Sequence, residues 1–318
     1  MFNGLFTAGF LSLTVREGRL YGSLVDVLNR AAPAALAGLG MTLVIATGGV
    51  DLSVGAVMAI AGSVAALMVT QAHAPPAVIL AAGLGAATLC GVWNGLLVSI
   101  FRVQPIIATL LLMVAGRGIA QLLTEGQIIT FRDPTLEFIG GGYLLGLPFA
   151  VTLVAIALMA TAALMRLTAL ALFVESVGDN ETASRFAGIN DRFVKLAVYT
   201  FSGLCAGVGG LIIAGNIRAA DANNAGLYLE LDAILAVVIG GTALVGGRFN
   251  LLGTMIGALI IQTLTTTILT RGIPVEWTLV VKAIVVLAVC LLQAPRIQRA
   301  LSSVWTRRRD PRPGGGTA

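Results

Sequence analysis

Long apolar stretches recur along almost the whole sequence, and most of them are long enough to cross a lipid bilayer. A helix needs about 20 residues to span a hydrocarbon layer roughly 30 Å thick. Hydrophobic residues make up 57% of the 318-residue chain and charged residues only 11%, whereas about a quarter of a soluble domain is charged. The sequence therefore predicts an all-α fold, a polytopic transmembrane helical bundle.

Hydropathy places about nine full spans. They lie near residues 32–50, 53–72, 75–101, 104–124, 143–165, 194–217, 230–247, 251–271 and 275–293. Arginine and lysine gather in the segment 166–195 and in the basic tail 296–318, so we expect both to be cytoplasmic. Counting spans back from these segments leaves 16–31 outside. Residues 1–15 are then an external stub helix or a truncated first helix, and we favour the second.

One carboxylate interrupts the apolar pattern. Asp51 stands in the motif Gly48-Gly49-Val50-Asp51-Leu52-Ser53-Val54-Gly55, between two runs without charge. A charge at membrane depth costs roughly 2.5–3.5 kcal/mol on insertion scales, so it is rarely kept without a function. The neighbouring glycines predict a break in the helix. Asp51 can line a translocation path, or it can lock helices together by pairing with Arg117, Arg248 or Lys282.

Uncharged polar side chains in or beside the spans extend this candidate site. Each can hydrogen-bond a passing solute or simply a neighbouring helix. The candidates for the translocation path or helix break are Gly48, Gly49, Asp51, Ser53, Asn94, Gln104 and Thr109. On the predicted external face, candidates that meet a partner protein or mark the membrane interface are Asn223, Asn224, Glu230 and Asp232.

The segment 166–195 contains a short helix-compatible run, Asn180 to Ala187, between two glycines. A rigid helix held between glycines can dock on a partner and transmit its motion to the spans, although most such loops are solvated connectors. The residues proposed for this role are Gly178, Asp179, Asn180, Glu181, Ala183, Ser184, Arg185 and Gly188.

Sets of residues that perform catalysis are missing from the sequence. The only lysines are Lys195 and Lys282, neither in a phosphate-binding loop, and His73 is the only histidine. We therefore expect no catalytic residue, no metal site and no cofactor in this chain, which is not an enzyme. The arginine-rich ends fit membrane topology better than nucleic-acid binding.

Taken in order, several motifs resemble the ribose-type family of bacterial sugar ABC importer permeases, over roughly residues 20–295. Besides the motif around Asp51, they are Trp93-Asn94-Gly95-Leu96-Leu97, Gln104-Pro105, Ala108-Thr109-Leu110, Gly116-Arg117-Gly118, Val177-Gly178-Asp179-Asn180, Ala187-Gly188-Ile189-Asn190, Glu230-Leu231-Asp232-Ala233-Ile234, Gly240-Gly241 and Gly246-Gly247-Arg248. The runs 26–32, 40–62 and 218–241 most resemble members of the family that carry galactofuranose.

The resemblance implies an ATP-driven importer of galactofuranose or a related monosaccharide in the bacterial inner membrane. The family has ten spans, which here gives a permease domain over 16–295 and a disordered cytoplasmic tail over 296–318. Its expected partners are a cytoplasmic ABC ATPase that uses the ATP, a periplasmic sugar-binding protein, a second permease subunit, identical or related, and the lipid bilayer. The resemblance also favours ATPase coupling for residues 178–188. An ion-coupled secondary sugar transporter using Asp51 is the alternative.

Overall fold

The computed structural model describes residues 14–16, 19–272, 274 and 276–293. Helices dominate this part of the chain: α1 Ser23–Ala46, α2 Val54–Thr70, α3 Pro76–Ser99, α4 Pro105–Leu123, α5 Pro134–Gly141, α6 Phe149–Leu167, α7 Leu170–Asp179, α8 Glu181–Phe186, α9 Asp191–Ile217, α10 Leu229–Ile239, α11 Leu251–Thr270 and α12 Glu276–Gln293. The strands are β1 Thr14–Arg16, β2 Arg19–Tyr21, β3 Ile129–Thr130, β4 Tyr143–Leu144, β5 Leu147–Pro148 and β6 Ala219–Ala220.

Antiparallel pairing joins β1 to β2, β3 to β6, and β4 to β5. The β3–β6 pair sets Ile129 opposite Ala220 and ties the loop after α4 to the end of α9. Among the residues that the structure describes, six helices are long and apolar enough to cross a membrane, namely α1, α3, α4, α6, α9 and α11. The predicted all-α, polytopic fold is confirmed by these helices.

Two of the predicted spans are shorter helices. The apolar helix α2 has 17 residues, and the span predicted at 230–247 is the 11-residue helix α10. Gly240 follows its last residue, and Gly241 takes a φ of +88°, which ends the helix in a turn. Residues 242–245 are mostly apolar but not helical. Hydropathy indicates that a stretch lies in an apolar environment, but it does not show that the stretch is helical.

The start of α1 also differs from the predicted span. The helix begins at Ser23, nine residues before the apolar stretch, and carries Asp26 and Arg30 in its first turns. Residues 125–142, which lie between two predicted spans, contain α5. Asp133 caps this helix by accepting hydrogen bonds from the N–H groups of Thr135 and Leu136. Residues 14–16 form a strand, and the predictions for 1–13 and 296–318 lie outside the described residues.

The core forms where α9 packs against α1, α2 and α3. Glycines allow these backbones to approach closely. A Cβ atom on Gly40 would lie 2.7 Å from the Ser202 Cα, and one on Gly91 would lie 2.5 Å from the Tyr199 carbonyl oxygen. These elements belong to one compact unit, Met1–Thr267, and a second unit begins at Ile268 and contains α12.

Candidate functional site

The turn between α1 and α2 places Asp51 in the protein interior, where its side chain is 2% exposed. Its Oδ1 atom accepts hydrogen bonds from the Ser53 N–H at 3.0 Å and the Ser53 hydroxyl at 2.6 Å. Its Oδ2 atom accepts one from the Ser202 hydroxyl of α9 at 2.8 Å. The carboxylate thus fixes the start of α2 to the middle of α9.

The arginine pairing predicted for Asp51 is not what the structure contains. Arg117 donates instead to the carbonyl oxygens of Ala222 and Ala225, and Arg248 is exposed while Asp51 is buried. Hydroxyl groups therefore make the helix-locking contacts of Asp51 in this unit. An arginine is not required, because three donors already satisfy the carboxylate.

One other predicted polar residue joins the same cluster, and a second lies beside it. Asn94 of α3 donates from Nδ2 to the Ser53 hydroxyl at 2.8 Å, and it is fully buried. We call Asp51, Ser53, Asn94 and Ser202 the Asp51 cluster. It joins α2, α3 and α9. Thr109 of α4 contacts the Val50 carbonyl at 3.3 Å, next to the cluster.

Gln104 is exposed at the start of α4 and does not join the cluster. Ser202 and Tyr199, which face the break from α9, are not among the residues predicted from the sequence. A Cβ atom on Gly49 would lie 2.5 Å from the Tyr199 hydroxyl, so this glycine makes room for a fully buried ring. Polar side chains inside an apolar span were the signal that could have found both.

The short helix predicted after Asn180 is present as α8. The Asn180 side chain caps it by accepting a hydrogen bond from the Ala183 N–H at 2.9 Å, and Gly188 follows it with a φ of +85°. Ser184 is buried, whereas Asp179 and Ala183 are exposed. Phe186, which is not among the residues predicted from the sequence, is 90% exposed.

A charged network holds α8 in place. Glu181 accepts hydrogen bonds from Arg102, from Arg185 at 3.0 Å and from Lys195. Asp191 accepts from Arg102 at 3.0 Å and from Arg185 at 3.2 Å. The network therefore links α8 to the turn before α4, through Arg102, and to the first turns of α9. We call these five residues the α8 network.

Electrostatics within the α8 network favour the ionised form of Glu181. Burial raises the pKa of this carboxyl, but hydrogen bonds and charge from Lys195 and a hydrogen bond from Arg102 outweigh burial and lower the pKa to about 2. Glu181 is therefore a permanent anion at physiological pH.

Gly178, near the end of α7, packs directly against the end of α1. A Cβ atom at this position would lie 1.8 Å from the Ala46 carbonyl oxygen and 2.5 Å from the Gly247 nitrogen. The Gly247 N–H donates to the same Ala46 carbonyl at 2.9 Å. At Gly246, a Cβ atom would lie 2.8 Å from the Gly178 oxygen and 3.0 Å from the Gly48 nitrogen.

Three motifs that are far apart in sequence therefore meet at one point. We call Gly48, Gly178, Gly246 and Gly247 the glycine junction. It joins the segment that carries α8 to the helix break that carries Asp51. Because the backbones are in direct contact there, no side chain lies between them that could rearrange, and a displacement of α7 therefore moves the neighbouring backbone.

The residues predicted on the external face follow α9 in the chain. Asn223 and Asn224 are exposed; Asn223 accepts a hydrogen bond from Gln121, and Asn224 donates to Asp221. Asp232, in the first turn of α10, is half-buried. Glu230, expected on the same face, is instead buried at the start of α10, because the chain before it folds back into the bundle.

Within the described ranges, no group of three or more His, Cys, Asp or Glu residues could hold a metal ion. The site consists of a buried hydrogen-bonded cluster, a backbone junction and a rigid surface helix. Such an arrangement can transmit motion from the surface helix to the buried cluster.

Known proteins are similar to this chain over most of its length. The family profile described as "Branched-chain amino acid transport system / permease component" matches residues 23–290. The chain is 54% identical over 305 residues to the galactofuranose transporter permease protein of Escherichia coli (strain K12), covering 96% of this chain and 89% of that protein. No solved structure matches the chain.

Two further relatives are import permeases. The fructose import permease protein of Bifidobacterium longum (strain NCC 2705) is 39% identical, over 96% of this chain and 87% of the relative. The ribose import permease protein of Escherichia coli (strain K12) is 38% identical, over 85% of each chain. The predicted resemblance to ribose-type sugar permeases is confirmed by these matches.

Proposed function

Because this chain belongs to the family of branched-chain amino acid transport system permease components, we propose that it is the membrane-spanning permease of a bacterial sugar importer driven by ATP. Its relatives import galactofuranose, fructose and ribose by name. Galactofuranose is the proposed cargo, since the galactofuranose permease shares 54% of aligned residues with this chain.

The proposed mechanism is supported chiefly by the contact of Gly178 with the Ala46 carbonyl in the glycine junction. The α8 network makes α8 a rigid surface element, and α7 connects that element to the junction. A partner that pulls on α8 therefore moves the end of α1 and the turn that bears Asp51. The Asp51 cluster would pass this motion to α2, α3 and α9.

The partner that acts on α8 is proposed to be a cytoplasmic ABC ATPase. Because this chain has no ATP-binding motif, we assign ATP hydrolysis to that partner. The segment 178–188 would dock in a groove of the ATPase, with the side chain of Phe186 as its apolar anchor. An exposed aromatic side chain on a rigid helix loses little entropy when a partner buries it.

Between α9 and α10, Asn223 and Asn224 form an exposed polar surface. We assign it to a periplasmic sugar-binding protein, which delivers the cargo. A second permease, identical or related, would complete the path. The orientation that follows is a bacterial inner-membrane protein with its C-terminus and the segment 166–195 in the cytoplasm, as the arginine distribution favours.

Reconstitution tests the proposal directly. The chain is placed in liposomes with an ABC ATPase and a sugar-binding protein from its own organism, and uptake of labelled galactofuranose is measured with ATP or with a nonhydrolysable analogue. We expect uptake only with ATP and both partners. Uptake by the chain alone, driven by a sodium or proton gradient, would instead establish an ion-coupled transporter that uses Asp51.

A further inference from the structure

The start of the short helix α2 lies against the chain that leads into the short helix α10. A Cβ atom on Gly55 would lie 2.3 Å from the Gly226 carbonyl oxygen, and one on Gly226 would lie 2.6 Å from the Gly55 carbonyl oxygen. This reciprocal contact brings the chain before α10 against the first turn of α2. Neither helix, at 17 and 11 residues, reaches the length of a full span.

The contact occurs inside the bundle rather than at its end. Gly210 of α9 packs on Met58 of α2, and Gly62 packs near Ala214. Gly55 precedes Met58 by nearly a turn, so it lies well before the end of α9 at Ile217. Residues 219–228, which we call the return segment, therefore fold back along α9 to reach Gly55.

Two side chains of α4 hold the return segment. Arg117 donates from one nitrogen to the carbonyl oxygens of Ala222 at 3.0 Å and Ala225 at 2.6 Å. One turn later, Gln121 donates to the Asn223 side chain at 2.7 Å. The carboxylates of Asp221 and Glu230 also lie near enough to interact electrostatically with the Arg117 guanidinium.

Little regular structure supports the return segment itself. Only its first two residues, Ala219 and Ala220, pair as a strand, and Gly226 and Tyr228 have positive φ angles. A pocket of about 380 Å³ lies beside the segment, lined in part by Asn224, Leu227 and Leu229. The segment thus has room to shift, and hydrogen bonds to a charged donor contribute more than neutral ones to holding it.

We propose that Arg117 is a positioning residue that latches residues 221–228 of the return segment against α2, and that these residues leave this latch once in each transport cycle while Ala219 and Ala220 stay paired with β3. The inference rests on the proposed transport function. Alternating access requires part of the bundle to open, and the α1–α9 contacts are close backbone packing that resists separation. Apart from the Gly55–Gly226 contact and the packing of Ala222 in a small cluster with Ala59 and Ile60, the return segment is held by hydrogen bonds from the Arg117 and Gln121 side chains, which can break and re-form without unfolding a helix.

Cysteine labelling measures the latch without relying on transport. The native cysteines Cys90, Cys205 and Cys290 are replaced by alanine, and Ala222→Cys is introduced, at a position only 2% exposed. With Arg117→Gln, we expect a hydrophilic maleimide to label this cysteine at least about tenfold faster, and Arg117→Lys to give an intermediate rate. The control is Ala220→Cys, 3% exposed and held by β3, whose labelling should not change.

The native Arg117 chain in the full transporter tests the movement. Adding ATP and the sugar-binding protein should increase labelling at Ala222→Cys and leave Ala220→Cys unchanged. Equal labelling of Ala222→Cys with and without Arg117, or no increase during ATP hydrolysis, would overturn the proposal. Because ATP-driven uptake is measured in the same preparation, failure of the latch and failure of the proposed function give separate results.

Discussion

Gly178 and Ala46 are in backbone contact so close that a methyl group at Gly178 would lie 1.8 Å from the Ala46 carbonyl oxygen. Gly178 belongs to the segment that carries the surface helix α8, and Ala46 ends α1, the most buried of the six long apolar helices in the described part of the chain. The Ala46 carbonyl also accepts the Gly247 N–H. This one contact therefore joins the proposed ATPase-facing segment to the break that holds Asp51.

Substitution of Asp51 separates its charge from its hydrogen bonds. In Asp51→Asn, the amide oxygen can accept from Ser53 and the amide nitrogen can donate to the Ser202 hydroxyl, so we expect near-native expression and thermal stability. Asp51→Leu leaves three buried donors without an acceptor and should cost about 3 kcal/mol or more of stability.

Thermal unfolding in detergent and ATP-driven uptake measure the two effects for Asp51. We expect Asp51→Asn to reduce uptake more than expression. Equal loss of uptake and expression in Asp51→Asn would contradict a role of the charge in transport and leave Asp51 as a structural residue alone.

Removal of the Phe186 ring should weaken binding of the ATPase. The side chain is 90% exposed and makes no contribution to the core, so Phe186→Ser should leave the fold intact. We expect its affinity for the ATPase to fall at least tenfold, as is common for a central aromatic anchor. Co-purification and ATPase titration give the affinity.

The control for Phe186 is Leu145→Ser, at an equally exposed apolar position (95%) in the turn between β4 and β5. It should bind the ATPase like the native chain. Native affinity in Phe186→Ser would show that Phe186 is not an anchor.

The order of α8 should depend on pH through Glu181. Its folded pKa of about 2 lies below the ordinary 4.5, so the ionised carboxylate stabilises α8 fully above about pH 4.5 and progressively less as pH falls toward 2. Hydrogen–deuterium exchange at residues 181–186, corrected for intrinsic rates, should accelerate over this interval. In Glu181→Gln the exchange should be fast and independent of pH between 2 and 5. A native chain without this transition would refute the stabilising role.

Most of the fold was predictable because membrane burial imposes one strong signal. Apolar stretches of about 20 residues predicted α3, α4 and α11 to within a few residues. The same signal was wrong for 230–247, where apolar residues continue past Gly240 but the helix does not. Glycines with positive φ, such as Gly241, stop a helix without changing hydropathy.

The candidate site was predictable only in part. The motif around Asp51 and the helix after Asn180 are local features, and both were placed correctly as a break and a helix. Their connection through Gly178 and Gly246 depends on tertiary contact, which no local pattern reports. Ser202 and Arg102 were missed for the same reason, since each acts on a residue more than 75 positions away.

The substitution Gly178→Ala tests the central claim most directly. An added methyl group forces the Ala46 and Gly247 backbones apart, so motion of α8 should no longer reach the Asp51 turn. In the reconstituted transporter we measure sugar molecules taken up per ATP hydrolysed, with Gly85→Ala as control because its Cβ would meet no atom within 4 Å. We predict continued ATP hydrolysis with at least a tenfold lower uptake per ATP for Gly178→Ala, and a native ratio for Gly85→Ala. A native ratio in Gly178→Ala would contradict the account.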